Sequence, residues 1–141
     1  MRRPWHLWLV GIVSLIWNGL QAADYTMAKL QLPAYTAQMS TDQLAFFQGF
    51  PLWASATWAI AVWAALLGSI LLLAREGAAA IVFAIALIAM LATGAYTLVL
   101  AQPNMLAMAG TGPALLSGLI ILVGIGFWIY ARAMRQRGIL E

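Results

Sequence analysis

Apolar residues run in four long blocks along the chain, separated by shorter polar or breaker-rich stretches. A membrane-spanning helix needs about 20 mostly apolar residues to cross about 30 Å of hydrocarbon. Each block meets that length, so we predict transmembrane helices at about residues 5–23, 52–74, 78–101 and 113–131. No soluble domain fits in the remainder. We therefore predict an all-α membrane protein, with residues 1–141 forming a single four-helix transmembrane domain.

The connections between the predicted helices differ in length. AREGA, between the second and third helices, is a tight hairpin, and QPNMLAMAGTG, before the fourth, is short and rich in helix breakers. The long connection, residues 24–51, ends in STDQLAFFQGFP. Its Ser and Thr are candidate N-caps and its Gly and Pro are stop signals, so we predict a short helix around Thr41–Gln48. Apolar side chains should hold this helix at the membrane interface over the mouth of the bundle: Leu44, Phe46, Phe47 and Phe50.

Charge strengthens the membrane assignment and gives an orientation. Charged residues make up 8% of the chain, whereas a water-soluble domain carries about 25%. Basic residues are retained in the cytoplasm. Six of the seven lie before the first helix, in the AREGA turn or after the fourth helix, and Lys29 is the exception. With four spans these three regions share one side, so we predict that both termini lie in the cytoplasm.

The first apolar block has a second interpretation, as a cleaved signal peptide. Arg2 and Arg3 would form its basic region, and Leu20-Gln21-Ala22 its cleavage site. Asn18, however, interrupts the apolar core that such a peptide requires. We therefore favour a retained transmembrane helix.

One face of this first helix is small or polar. Positions 11, 14, 18, 21 and 25 are separated by three or four residues and share a helical face. They are Gly11, Ser14, Asn18, Gln21 and Tyr25. An unsatisfied amide in hydrocarbon costs several kcal/mol. We therefore predict that Asn18 and Gln21 point into the bundle, toward the second or third helix.

Polar residues concentrate in the outer half of the predicted bundle. Asn18 falls near the membrane midplane, because a rise of about 1.5 Å per residue places it roughly 16 Å from Leu7. Other polar residues fall in the same half: Asp24, Ser55, Thr57, Thr93, Tyr96, Thr97 and Ser117. They either tie helices together by hydrogen bonds or line an outward-facing pocket. For a pocket, the candidate ligand-binding residues are Asn18, Gln21, Tyr25, Trp63, Thr93 and Tyr96.

The second predicted helix carries two further signals. Thr57, Ala61, Ala65 and Ser69 recur every four residues and predict a ridge that allows close helix approach. Trp63 lies near the middle of the membrane, too deep for an interfacial belt. Its indole either fills a groove between helices or stacks on a ligand ring.

Residues suited to catalysis or metal binding are scarce. The chain has no cysteine and one histidine, His6, and it lacks paired carboxylates, a Ser–His–Asp set and a glycine-rich phosphate loop. We predict no enzyme activity, no catalytic or metal-binding residue and no cofactor. The expected partners are membrane lipid and either a homo-oligomer or a larger membrane complex. The basic residues report topology, so no nucleic-acid partner is expected.

The ordered elements LIWNGLQAADY, YTAQM, QLAFFQGFPLWASATWAIAVW and LGSILLLA extend over most of the chain. In them the chain resembles a family of small four-helix bacterial membrane proteins, whose members often carry the automatic label "sugar transporter". The resemblance implies the four-helix topology, and it supplies no catalytic or binding residue.

Two functions follow from these observations. The first is a small permease or solute-binding membrane protein that uses the outer polar cluster. Four helices are too thin to enclose a full pathway, so this function requires an oligomer. The alternative is a structural or accessory subunit of a larger membrane complex, without transport activity of its own.

Overall fold

The computed structural model of the chain describes residues 4–30, 33, 37, 41–101 and 111–140. Its α-helices are α1 (Trp5–Leu30), α2 (Thr41–Gln48), α3 (Leu52–Leu73), α4 (Ala78–Ala95) and α5 (Thr111–Gln136). A π-helical turn, Tyr96–Leu100, continues α4. Four of these segments are long and apolar enough to cross a membrane, and the described ranges contain no strand. The predicted all-α bundle of four transmembrane helices is confirmed, as is the short helix at Thr41–Gln48.

Large apolar side chains cover the outside of the bundle. Leu20 on α1, Ile88 on α4 and Leu122 on α5 each expose about two thirds of their surface, at 66%, 68% and 66%. Water-soluble monomers rarely expose this much apolar surface. The exposed side chains suit hydrocarbon, which identifies a multi-pass membrane protein.

Two transmembrane helices run further than the apolar pattern predicts. α1 continues to Leu30 rather than ending near residue 23, and α5 continues to Gln136 rather than ending near residue 131. The added residues are mostly good helix formers, and Lys29 and Arg135 in the last turns complement the helix dipoles. The apolar pattern shows only where each helix leaves the hydrocarbon of the membrane, and both helices continue beyond that boundary.

The order of packing in space is α1, α3, α4, α5. α3 packs against both α1 and α4, and α4 packs against α5. The predicted small-residue ridge of α3 lies in these contacts, since Ala61, Ala65 and Ser69 are buried. A Cβ added to Gly68 would lie 2.9 Å from the ring of Phe83. Small residues therefore allow α3 to approach its two neighbours closely.

One end of the bundle holds the start of α1, the α3–α4 turn and the end of α5, and we call it the terminal end. The opposite end, which holds α2, is the loop end. A core cluster closes the terminal end with side chains from α1, α3, α4, α5 and the segment after α5: Leu7, Leu72, Ala79, Ala80, Phe83, Ala131, Met134, Ile139 and Leu140. The Nδ1 atom of His6 also lies 2.6 Å from the Tyr130 hydroxyl, which joins α1 to α5.

The chain folds back after α5. Gly138 has a φ of 77°, the amide of Gly138 donates to Arg135 O and the amide of Ile139 donates to Met134 O. This is a Schellman C-cap, which places Ile139 against Met134. Ile139 and Leu140 are buried as a result. The residues after α5 are therefore part of the core as well as a basic anchor.

Arg75 joins this C-terminal segment to the α3–α4 turn. Arg75 has a φ of 60°, the left-handed conformation, in a second Schellman cap whose amides donate to Leu71 O and Leu72 O. Its Nε donates to Ile139 O across 3.1 Å. The tight hairpin predicted for AREGA is confirmed, and its arginine has a structural contact that basic-residue counting did not predict.

Aromatic side chains hold α2 against the loop end. Phe46 is buried, and its ring centroid lies 5.5 Å from that of Phe50 and 6.5 Å from that of Tyr96. Phe50 and Trp53 also make edge contacts with Tyr96. The side chain of Phe47, most of residues 31–40 and the predicted connection at residues 102–110 lie outside the described part of the chain.

Candidate functional site

A cavity of about 260 Å³ lies inside the loop end of the bundle. All four transmembrane helices contribute to its wall, and Phe50 adds an aromatic ring from the α2–α3 connection. Its polar lining consists of Gln21 and Asp24 on α1, Thr93 on α4, Thr97 in the π turn and Ser117 on α5. Its apolar lining includes Trp58, Val62, Met90, Ile120 and Ile121. The cavity combines an apolar body with a few convergent polar groups, as small-molecule sites do.

Gln21 gives this cavity an unused donor. Its Nε2 atom is buried and has no hydrogen-bond partner among the described residues. Almost all buried polar atoms in proteins make a hydrogen bond, so a buried atom without one requires an explanation. Gln21 also lines the cavity, so a solute bound there is a candidate acceptor for this hydrogen bond.

Asn18, one helical turn toward the terminal end, makes hydrogen bonds to α3 through its Nδ2. Its Nδ2 donates to the Ser69 hydroxyl across 2.8 Å and to Ala65 O across 3.2 Å. Ser69 in turn donates to Ala65 O. Asn18 exposes 1% of its surface. The prediction that Asn18 points into the bundle toward the second helix is confirmed, and its amide ties α1 to α3.

The threonines on α4 combine helix contacts with access to the cavity. Thr93 and Thr57 hydroxyls lie 2.9 Å apart and share a hydrogen bond between α3 and α4. Thr97 donates to Gly94 O. Thr97 lies in the π turn, where Ala101 N donates to Tyr96 O. π turns are rare in proteins overall, but those that occur are often at functional sites. This one carries Thr97, a polar residue of the cavity lining.

Trp58 forms an aromatic wall of the cavity and has several neighbours. Its ring lies 4.9 Å from that of Tyr25, edge to face, and 5.6 Å from that of Phe50. Lys29 places its ammonium 5.7 Å from the Trp58 centroid and donates to Ser55 across 2.7 Å. These contacts hold the indole in position, so a ligand would meet a preformed surface.

The six residues predicted as ligand contacts lie in different places. Gln21 and Thr93 line the cavity. Asn18 is engaged with α3, and Tyr25 packs on Trp58. Tyr96 belongs to the aromatic contacts that hold α2. Trp63 exposes 47% of its surface, and its ring makes an edge contact with that of Tyr25, 6.5 Å away between centroids.

Several lining residues were not among those six, and helical spacing contained the signal for two of them. Thr97 follows Thr93 by four residues and therefore shares its face. Trp58 follows Ala54 by four residues and precedes Ala61 by three, so it belongs to the buried face of α3, whereas Trp63 does not. The apolar lining residues on α5, Ile120 and Ile121, carry no comparable signal in the sequence.

The described residues offer little to a metal ion. No group of three or more His, Asp or Glu side chains lies together among them. His6, at the terminal end, contacts Tyr130 and the edge of Trp5. The cavity chemistry is that of hydrogen bonding by an amide, hydroxyls and one carboxylate against aromatic and aliphatic walls.

No protein-family model, curated protein or solved structure matches the chain significantly. The family resemblance therefore remains a prediction, and functional inference rests on the geometry of the cavity.

Proposed function

We propose that the protein binds a small solute in the loop-end cavity. The observation that carries the proposal is the buried Gln21 Nε2 without a partner, on the wall of a cavity of about 260 Å³. The other inward amide of α1, Asn18, is paired. Among the described residues, the fold thus pairs the Asn18 Nδ2 but not the Gln21 Nε2. A bound ligand could supply the acceptor that Gln21 lacks.

The lining defines the class of solute. The ligand needs an acceptor for Gln21 and an apolar or ring face for Trp58. A hydroxyl or ammonium group would suit the Asp24 carboxylate, which also lines the cavity. The volume lies just below the range of drug-sized sites, about 300–1,000 Å³. We therefore propose an uncharged or cationic solute of monosaccharide size or smaller.

The position of the cavity supports a binding role that faces outward. We propose that the loop end faces the outside of a bacterial inner membrane and that both termini are cytoplasmic, because the basic residues flank the terminal end. The core cluster there closes the bundle. Passage of the solute to the cytoplasm would require this cluster to open, or several copies to enclose a path. Solute binding is thus the primary proposal, and permeation by an oligomer extends it.

An accessory role in a larger membrane complex is a second candidate, and α5 supports it. Only 11% of the residues in the apolar stretch of this helix are buried, against 28–33% for the other three spans. Gly118 and Gly126, two turns apart on α5, have open space where a Cβ would lie. The open space at these two glycines leaves room for a partner helix to approach α5.

The test is a ligand screen with a matched pair of variants. Purified protein in lipid nanodiscs would be heated with monosaccharides, small amino acids and alkylamines, each added separately. A true ligand raises the Tm of the wild type. It should raise that of Thr26→Ala equally and fail to raise that of Gln21→Leu, because Thr26 lies on α1 outside the cavity lining. No shift with any solute, or the same shift in Gln21→Leu, would contradict the proposal.

A further inference from the structure

A second concave surface lies at the terminal end, on the outside of the bundle between α4 and α5. It is an open groove with a volume of about 540 Å³. Its lining divides into a basic edge and an apolar floor: Arg132, Arg135, Gln136 and Trp128 on α5, and Ala80, Ile81 and Ala84 on α4. We call this surface the α4–α5 groove. It is separate from the loop-end cavity and shares no lining residue with it.

The basic edge of the groove carries two guanidinium groups one helical turn apart. Arg132 and Arg135 are exposed, and no acidic side chain is among the described residues that line the groove. The guanidinium carbon of Arg132 lies 5.6 Å from the centroid of the Trp128 ring. This cation–π contact with the indole restrains the Arg132 guanidinium. Two exposed guanidinium groups at this spacing suit the oxygens of a phosphate.

The floor of the groove is apolar and continuous with the lipid-facing surface. Ile81 exposes 53% of its surface, and Ala84 lies one turn further along α4 toward the membrane interior. Small side chains at Ala80 and Ala84 leave room for a chain to lie against α4. Trp128, between floor and basic edge, has the position of an interfacial tryptophan. The groove is therefore charged near the end of the bundle and apolar nearer its middle. A phospholipid has the same order, with a charged headgroup followed by apolar acyl chains.

We propose that the α4–α5 groove binds an anionic phospholipid. Its phosphate contacts Arg132 and Arg135, Gln136 donates to the headgroup, and one acyl chain lies over Ala80, Ile81 and Ala84. Basic pockets between transmembrane helices bind anionic headgroups in this way. The apolar floor selects a lipid over free inorganic phosphate, since phosphate alone would leave the floor unused.

The test is native mass spectrometry of the full chain released from detergent, titrated with phosphatidylglycerol or phosphatidylcholine. The wild type should retain one phosphatidylglycerol at concentrations where phosphatidylcholine is lost. Arg135→Gln should weaken this binding about fivefold, the effect of one basic residue near an anionic headgroup. Arg137→Gln is the matched control, because it removes the same charge from an exposed position outside the groove.

A steric variant and a competitor separate the alternatives. Ala84→Phe fills the floor without changing charge and should also lower retention of phosphatidylglycerol. Each variant is first checked for wild-type Tm, and if Ala84→Phe fails to fold, the Arg135→Gln and Arg137→Gln pair decides. Equal loss in Arg135→Gln and Arg137→Gln would show diffuse surface charge and overturn the site. Full displacement by millimolar ammonium phosphate would assign it to free phosphate and overturn the lipid.

Discussion

Asn18 donates a hydrogen bond to the Ser69 hydroxyl across 2.8 Å, deep between α1 and α3. Both side chains are buried, with exposed fractions of 1% and 0%. Gln21, one turn further along the same face of α1, has a buried Nε2 with no hydrogen-bond partner among the described residues. Neighbouring amides on one helix therefore have different roles. Asn18 joins two helices, whereas Gln21 lines the loop-end cavity.

Asn18→Leu should destabilise the protein. The change removes two hydrogen bonds to α3, at Ser69 and Ala65. Hydrogen bonds between membrane helices contribute about 0.6–2 kcal/mol each. We expect a loss of about 1–2 kcal/mol in unfolding free energy, since Ser69 keeps its own bond to Ala65 O. A double-mutant cycle with Ser69→Ala should give a coupling energy above about 0.5 kcal/mol, and an additive cycle would contradict the contact.

Gln21→Leu should have the opposite effect on stability. No partner loses a hydrogen bond, because Nε2 has none among the described residues. Removal of a buried unpaired amide relieves a desolvation penalty of about 1–3 kcal/mol. The ligand-free variant should therefore match or exceed the wild-type Tm in the same detergent. A loss as large as that of Asn18→Leu would show that Gln21 is a structural contact and would remove the main support for the proposed site.

Much of the fold could be predicted because its signals are local. α2 begins and ends as its capping and breaker residues predict, and four apolar blocks give four spans. The inward face of Asn18 follows from helical spacing and the cost of an amide in lipid. These inferences need only the residues of one segment.

The rest depends on contacts between segments that no single segment encodes. Ile139 and Leu140 are buried in one cluster with Leu7 and Phe83, which belong to other segments. Helical spacing puts Trp58 on the same face as Ala61, but that this face forms the cavity wall follows from the packing of α3 against α1 and α4. The π turn at Tyr96–Leu100 shifts the helical phase by one residue. Tyr96, at the start of this turn, contacts Phe46 and Phe50, partners that no pattern within its own helix indicates.

Arg75 provides a test of the terminal end. Its φ of 60° is unfavourable for any residue with a Cβ by about 1 kcal/mol. Arg75→Ala keeps this strain and loses the bond to Ile139 O, whereas Arg75→Gly loses the bond and relieves the strain. Chemical denaturation should find the Gly variant more stable than the Ala variant by about 1 kcal/mol. Equal stability of the two, or a more stable Ala variant, would argue against the left-handed turn.

The proposed orientation can be tested with reporter fusions. Six of the seven basic residues flank the terminal end, so this end should remain in the cytoplasm. A fusion at Glu141 should be active as a cytoplasmic reporter, and one inserted at Gln38 as a periplasmic reporter. A periplasmic Glu141 would reverse the orientation and direct the cavity inward.

The most direct test of a solute-accessible cavity uses the absence of cysteine from the natural chain. Ser117→Cys places a thiol in the cavity lining, and Ser14→Cys places one at a fully buried position of α1. A charged, membrane-impermeant thiosulfonate would be added outside intact cells, and modification would be read by mass spectrometry. We expect Ser117→Cys to react and Ser14→Cys to remain unmodified. An unreactive Ser117→Cys, or equal reaction at both positions, would contradict a water-filled cavity open at the loop end alone.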